Sequence, residues 1–97
     1  MTDVCLIVRL EAVAGKEQAL RKELQAMLKP TRAEDGCQTY QLYESETSNV
    51  FYFYEIWSSK EALDKHTKTP HYLHLQQVKD GLVKTGELTL VKEVHQV

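Results

Sequence analysis

Phe51-Tyr52-Phe53-Tyr54-Glu55-Ile56-Trp57-Ser58-Ser59-Lys60-Glu61-Ala62-Leu63-Asp64-Lys65-His66-Thr67-Lys68-Thr69-Pro70-His71-Tyr72 decides how the rest of the chain is read. Its first seven residues, with Val50 before them, make a run of aromatic and β-branched side chains, the composition of a strand. Ser58-Ser-Lys-Glu61 follows at once and matches the S-x-x-E capping box, in which the hydroxyl takes the amide three residues on and the glutamate reaches back. A helix is therefore expected directly after the strand. Thr69-Pro70 restarts the pattern, with Thr as cap and Pro as first helical residue. The next helix carries His71, Leu75, Val78 and Leu82 on one stripe.

Outward from that stretch, Cys37–Glu44 reads as a strand joined to Val50–Trp57 through the polar turn at 45–49, which makes an antiparallel hairpin. Residues 3–12 alternate Val4, Leu6, Val8 and Leu10 against Cys5, Ile7, Arg9 and Glu11, a strand apolar on both faces at its start. Gly15 ends it. From Lys16 the spacing of Leu20, Leu24, Met27 and Leu28 predicts an amphipathic helix, expected to end or kink near Lys29 because Pro30 follows. Gly36 fits a left-handed helix-end position. Gly81 and Gly86 loosen the end of the last helix, and residues 87–97 alternate as a closing strand. The order is β-α-β-β-α-β with a split second helix: a single ferredoxin-like α+β domain over residues 1–97. Its helices cover one face of a four-stranded antiparallel sheet. The other face is apolar here, which predicts a homodimer through the open sheet face.

Ninety-seven residues make one domain, and a domain this small borrows walls from a second copy when it needs a deep pocket. The net charge of −2 gives no basic field for nucleic acid or an anionic membrane, and no apolar run approaches the roughly 20 residues of a membrane span. The N-terminus lacks the pattern of a signal peptide. Cys5 and Cys37 follow no metal-site spacing and read as reduced thiols, so a cytoplasmic location is expected. The four glycines are isolated, which rules out a Gly-rich phosphate loop, and neither an H-E-x-x-H pair nor a G-x-S-x-G elbow is present. Any chemistry is therefore expected to need no metal and no organic cofactor.

Parity places Phe53, Glu55 and Trp57 on one face of the third strand. A carboxylate on the helix side must be paired or protonated. Glu55 either pairs with Arg9 or Arg32, or orients a histidine or binds a substrate hydroxyl. His66 and His71 fall on the inner edges of their helices, where a neutral imidazole beside an apolar pocket suits proton abstraction; a hydrogen-bonded core histidine is the competing reading. Trp57 is either core or a flat wall for an aromatic ligand. Tyr72 is the best placed tyrosine to reach such a pocket.

Gly15-Lys16-Glu17, Thr31-Arg32-x-Glu34-x-Gly36-Cys37-x-x-Tyr40, Glu55-x-Trp57-x-Ser59 and His66-x-x-Thr69-x-His71, in that order, resemble the antibiotic biosynthesis monooxygenase domain family over nearly the whole chain. The resemblance implies a dimeric α+β barrel and a cofactor-independent monooxygenase acting with O2 on a quinol or another small polyphenol. By the same resemblance His66, Trp57 and His71 are the catalytic set; from their placement beside these, Phe53, Glu55, Tyr72 and Arg32 are expected to contact the substrate. Val8 and Gln76 stand where haem-degrading relatives carry Asn and His, which argues against haem. Phe51–Glu55 and His66–Tyr72 also look like the autoinducer-2 phosphate isomerase branch, whose substrate would want a cation such as Arg9, Arg32 or Lys65. A non-catalytic ligand-binding dimer is the third alternative.

Overall fold

The computed structural model describes residues 3–96. The chain runs β1 (Val4–Ala12), α1 (Glu17–Arg32), β2 (Cys37–Glu44), β3 (Val50–Trp57), α2 (Lys60–His66), α3 (Pro70–Val78) and β4 (Val83–Val91), with a 3-10 turn at Lys79–Gly81 before the last strand. The sheet is antiparallel throughout, in the order β2-β3-β1-β4. This is the ferredoxin-like arrangement, with the second helix in two pieces.

β3 sits inside the sheet, and its alternation sets the layers. Phe51, Phe53, Glu55 and Trp57 face the helices and are buried, whereas Tyr54 on the opposite face is exposed. β1 repeats the pattern with Leu6 buried and Ile7 exposed. Onto the inner face α1 lays Leu20, Leu24, Met27 and Thr31, all buried and spaced for one helical stripe. Each fully buried Leu or Phe contributes about 1.5–3 kcal/mol, so this layer supplies much of the force that closes the fold. The outer face keeps Ile7, Tyr43 and Tyr54 open.

Three boundaries differ from the sequence expectation. α1 does not stop at Lys29: Pro30 lies inside it. The proline removes one amide bond near the helix end, while Met27 and Thr31 on either side are anchored in the core and hold the turn. The cap of α2 is Ser59, whose side chain accepts from the Ala62 amide at 3.1 Å. Ser58 remains tied to the α1–β2 loop, its amide donating to the Gly36 carbonyl at 2.8 Å. The closing strand starts at Val83, not at residue 87, and ends at Val91. Gly86 is a strand residue paired with Leu10, where an added Cβ would lie 3.3 Å from the Leu10 side chain. The last position of the expected strand, Val97, lies outside the described residues. The Thr69-Pro70 start of α3 is as expected, with the Thr69 hydroxyl accepting from the Tyr72 amide at 3.3 Å.

Candidate active site

The site is assembled by a close approach of the α1–β2 loop to α2. Gly36 has φ +84°, and a Cβ there would lie 2.6 Å from the Ala62 Cβ and 2.7 Å from the Ser58 Oγ. Glycine is therefore required both by conformation and by space. The approach brings Glu34, two residues earlier, against α2 and α3. Glu34 Oε2 lies 2.8 Å from His66 Nδ1 and 2.7 Å from His71 Nε2. One carboxylate oxygen thus joins two histidines from different helices.

His66 is 2 % exposed and packed in an aromatic cage. Its ring centroid is 4.7 Å from Trp57, 5.1 Å from Tyr72 and 5.9 Å from Tyr40, the two tyrosines meeting it edge-on. Burial pushes its pKa below the ordinary value for histidine, and the Glu34 bond opposes that shift.

On the neighbouring wall Glu55 is 4 % exposed. Its Oε1 accepts from Trp57 Nε1 at 2.9 Å. Among the described residues no Lys, Arg or His forms an ion pair with it. The arginine partner expected from sequence is absent because Arg9 points to the opposite face of the sheet, while Arg32 donates to the Tyr40 carbonyl and to Gln41 Oε1, both at 2.9 Å. Burial raises the Glu55 carboxyl to about 7; the Trp57 N–H holds it down and the Glu34 charge adds to the rise.

His66 and Glu55 both line a cavity of about 550 Å³ between the inner sheet face and α2 and α3. Leu6, Val8, Met27, Phe53 and Leu75 give it apolar walls, and Tyr72 stands beside His66. Lys79 and Lys84 also line it, alongside Asp64, Asp80 and Glu87. This volume lies within the usual range for small-molecule sites. A cavity with apolar walls, a buried carboxyl raised to about 7 and a histidine whose pKa burial lowers is suited to moving protons on a small ligand.

Of the seven residues predicted from sequence, His66, Glu55, Phe53 and Tyr72 line the cavity. Trp57 does not; it is fully buried behind His66 and Glu55. His71 also lies off the cavity, reaching the site through Glu34. Arg32 is exposed and occupied with β2. Sequence reasoning missed Glu34 as a site residue. The signal available was Gly36: a left-handed glycine two residues later marks a loop that packs closely on something. Glu34, His66 and His71 also form a donor set of the type that holds a divalent metal, with ligand atoms all within 4.8 Å of one another. The shared oxygen already accounts for both nitrogens as a hydrogen-bond arrangement.

A family model described as antibiotic biosynthesis monooxygenase matches residues 3–78. The Mycobacterium tuberculosis protein named "Putative monooxygenase Rv0793" is 40% identical over 89 residues, covering 91% of this chain and 88% of its own length. Its solved structure superposes with a TM-score of 0.90 at 35% identity, covering 98% of each chain. PA3566 from Pseudomonas aeruginosa superposes with a TM-score of 0.93 at 31% identity, over 98% of this chain and 97% of the other.

Proposed function

The chain belongs to the antibiotic biosynthesis monooxygenase family, and from that premise we propose that it oxygenates a small dihydroxyarene, a quinol or related polyphenol, using O2 and no cofactor. The observation that carries this reading is the pair of titratable groups, His66 and Glu55, on the wall of a cavity beside the apolar side chains of Leu6, Val8, Met27, Phe53 and Leu75.

The reaction needs a phenolate in a dry site. His66, held neutral near physiological pH by burial, accepts the proton of one substrate hydroxyl. Glu55 binds the second hydroxyl. The resulting phenolate is electron-rich enough to transfer an electron to O2. Recombination at a ring carbon places one oxygen atom on the substrate, and the other leaves as water. For a naphthoquinol the sum is quinol plus O2 to hydroxyquinone plus water; the substrate supplies all four electrons. The apolar walls keep water from the reactive intermediates. Trp57 orients Glu55 through its N–H and packs against His66.

The isomerase reading requires a cationic anchor for phosphate. Arg9 faces away, Arg32 is occupied, and Lys65 does not line the cavity. Around the cavity two lysines stand among four acidic residues, Glu55, Asp64, Asp80 and Glu87, a poor field for a dianion. The exposed Ile7, Tyr43 and Tyr54 of the outer sheet face support a two-fold homodimer through that face. Ile7→Glu with Tyr54→Glu should give a monomer by light scattering; an unchanged mass for both proteins would refute that interface.

Oxygen uptake across a panel of dihydroxynaphthalenes and other polyphenols tests the activity. Turnover should stop under anaerobic conditions, and His66→Ala should lower it about 10²-fold or more, the scale of a lost general base. Undiminished turnover in that variant would remove His66 from the chemistry.

A further inference from the structure

We propose that Glu34 is the positioning residue of this site: it locks His66 in the Nδ1–H tautomer, so that Nε2 is the proton acceptor, and His71 fixes Glu34 in place. The inference rests on the reading of His66 as the base, but its test needs no substrate.

An ionised carboxylate can only accept hydrogen bonds, whereas a neutral imidazole donates from one nitrogen and accepts at the other. Glu34 Oε2 faces two ring nitrogens, His66 Nδ1 at 2.8 Å and His71 Nε2 at 2.7 Å. Both nitrogens must therefore carry hydrogen. His66 is left with its lone pair on Nε2 only.

That assignment matters because the tautomer of a buried histidine is set by the bond its other nitrogen makes. Without Glu34, the imidazole would be free to place its proton on Nε2, where it cannot accept one. Glu34 also lies beside the imidazolium that forms once the substrate proton has moved to Nε2, and stabilises it electrostatically without itself becoming protonated. The same division of labour holds in the Ser-His-Asp triad, where the carboxylate holds the imidazole and does not take the proton.

The pieces come from three separate elements. Glu34 is on the α1–β2 loop, His66 ends α2 and His71 opens α3. His71 is on the outer side of the network, its side chain 20% exposed against 3% for His66. The other titratable groups packed around His66 are Tyr40 from β2 and Tyr72 from α3. Both are pushed upward from the ordinary tyrosine range, mainly by burial. Glu55 from β3 accepts from Trp57 Nε1, and the Trp57 ring packs against His66. Glu34 is thus the anionic partner in direct contact with the ring.

Nitrogen-15 NMR of the histidine side chains in the full chain, without ligand, tests this. Above the His66 pKa, Nδ1 should appear as the protonated nitrogen and Nε2 as the unprotonated one. Glu34→Gln keeps an acceptor at the same place but removes the charge; it should retain the tautomer while the His66 pKa falls further. Glu34→Ala should release the tautomer and lower quinol-dependent oxygen uptake at least tenfold, with a smaller change in KM than in kcat. A His66 carrying its proton on Nε2 in the unsubstituted protein would overturn the proposal, even if neither variant folds. So would an unchanged Nδ1–H signal in a folded Glu34→Ala. If the tautomer is as predicted and no polyphenol is consumed, the fault lies with the proposed reaction and not with the role of Glu34 in holding the ring.

Discussion

Replacing Glu55 by Gln should make the protein more stable at neutral pH and above, by an amount that depends on pH in a defined way. In the folded protein burial holds this carboxyl at about 7, against an ordinary value of 4.5. Between those two values the native state keeps a proton that the unfolded chain has lost. The native state therefore binds more protons, and stability falls as pH rises through that window. The loss begins near the unfolded value and is complete once pH exceeds the folded one. A gap of about two and a half pH units corresponds to about 3 kcal/mol at 1.36 kcal/mol per unit. Gln is the closest neutral analogue of the protonated acid and can still accept from Trp57 Nε1. The variant should thus match the parent near pH 4 and exceed it by up to about 3 kcal/mol near pH 8. Urea titrations of both proteins across this range measure the difference, in which the contributions of all other ionising groups cancel. A difference that is the same at both ends of the range refutes the account of Glu55 as a buried, cation-free carboxyl. Because the same group is proposed to hold a substrate hydroxyl, the gain in stability should be accompanied by a loss in kcat/KM.

Three further substitutions follow from the geometry. Trp57→Phe removes the N–H that holds the Glu55 carboxyl down, so the upper end of the pH-dependent loss of stability should move above about 7, again read by urea titration. Gly36→Ala should cost about 1–2 kcal/mol for the left-handed backbone alone, and more from the contact with Ala62; unchanged stability would mean that the loop does not approach α2 as described. Arg32→Ala should lower stability by about 1 kcal/mol through its bond to the Tyr40 carbonyl while leaving KM for a quinol unchanged, since its guanidinium is occupied outside the cavity.

The hairpin and the face assignment of β3 were legible because strand periodicity is strict: Phe51, Phe53, Glu55 and Trp57 had to share a side. The Thr-Pro restart was legible because its chemistry is local. What the sequence hid depends on contacts between distant segments. Glu34 is 32 residues from His66 and 37 from His71, and no periodicity links a loop residue to two helices. Trp57 stayed open between core and ligand wall because a large aromatic at a strand end has no sequence marker for which side of a histidine it occupies; the structure makes it core. Arg32 was expected in the site because a cation near a buried carboxylate is the usual solution; here the charge penalty is met by protonation. Gly86 concealed the start of β4, since a glycine usually weakens a strand and here instead makes room for Leu10.

The most direct test of the central claim is turnover of a reduced naphthoquinol under ¹⁸O₂, with mass spectrometry of the product. Oxygenation in the His66–Glu55 cavity predicts one labelled oxygen atom in each hydroxyquinone formed, with the label lost together with turnover in His66→Ala. A product without label, or turnover that persists when oxygen is withheld, would contradict it.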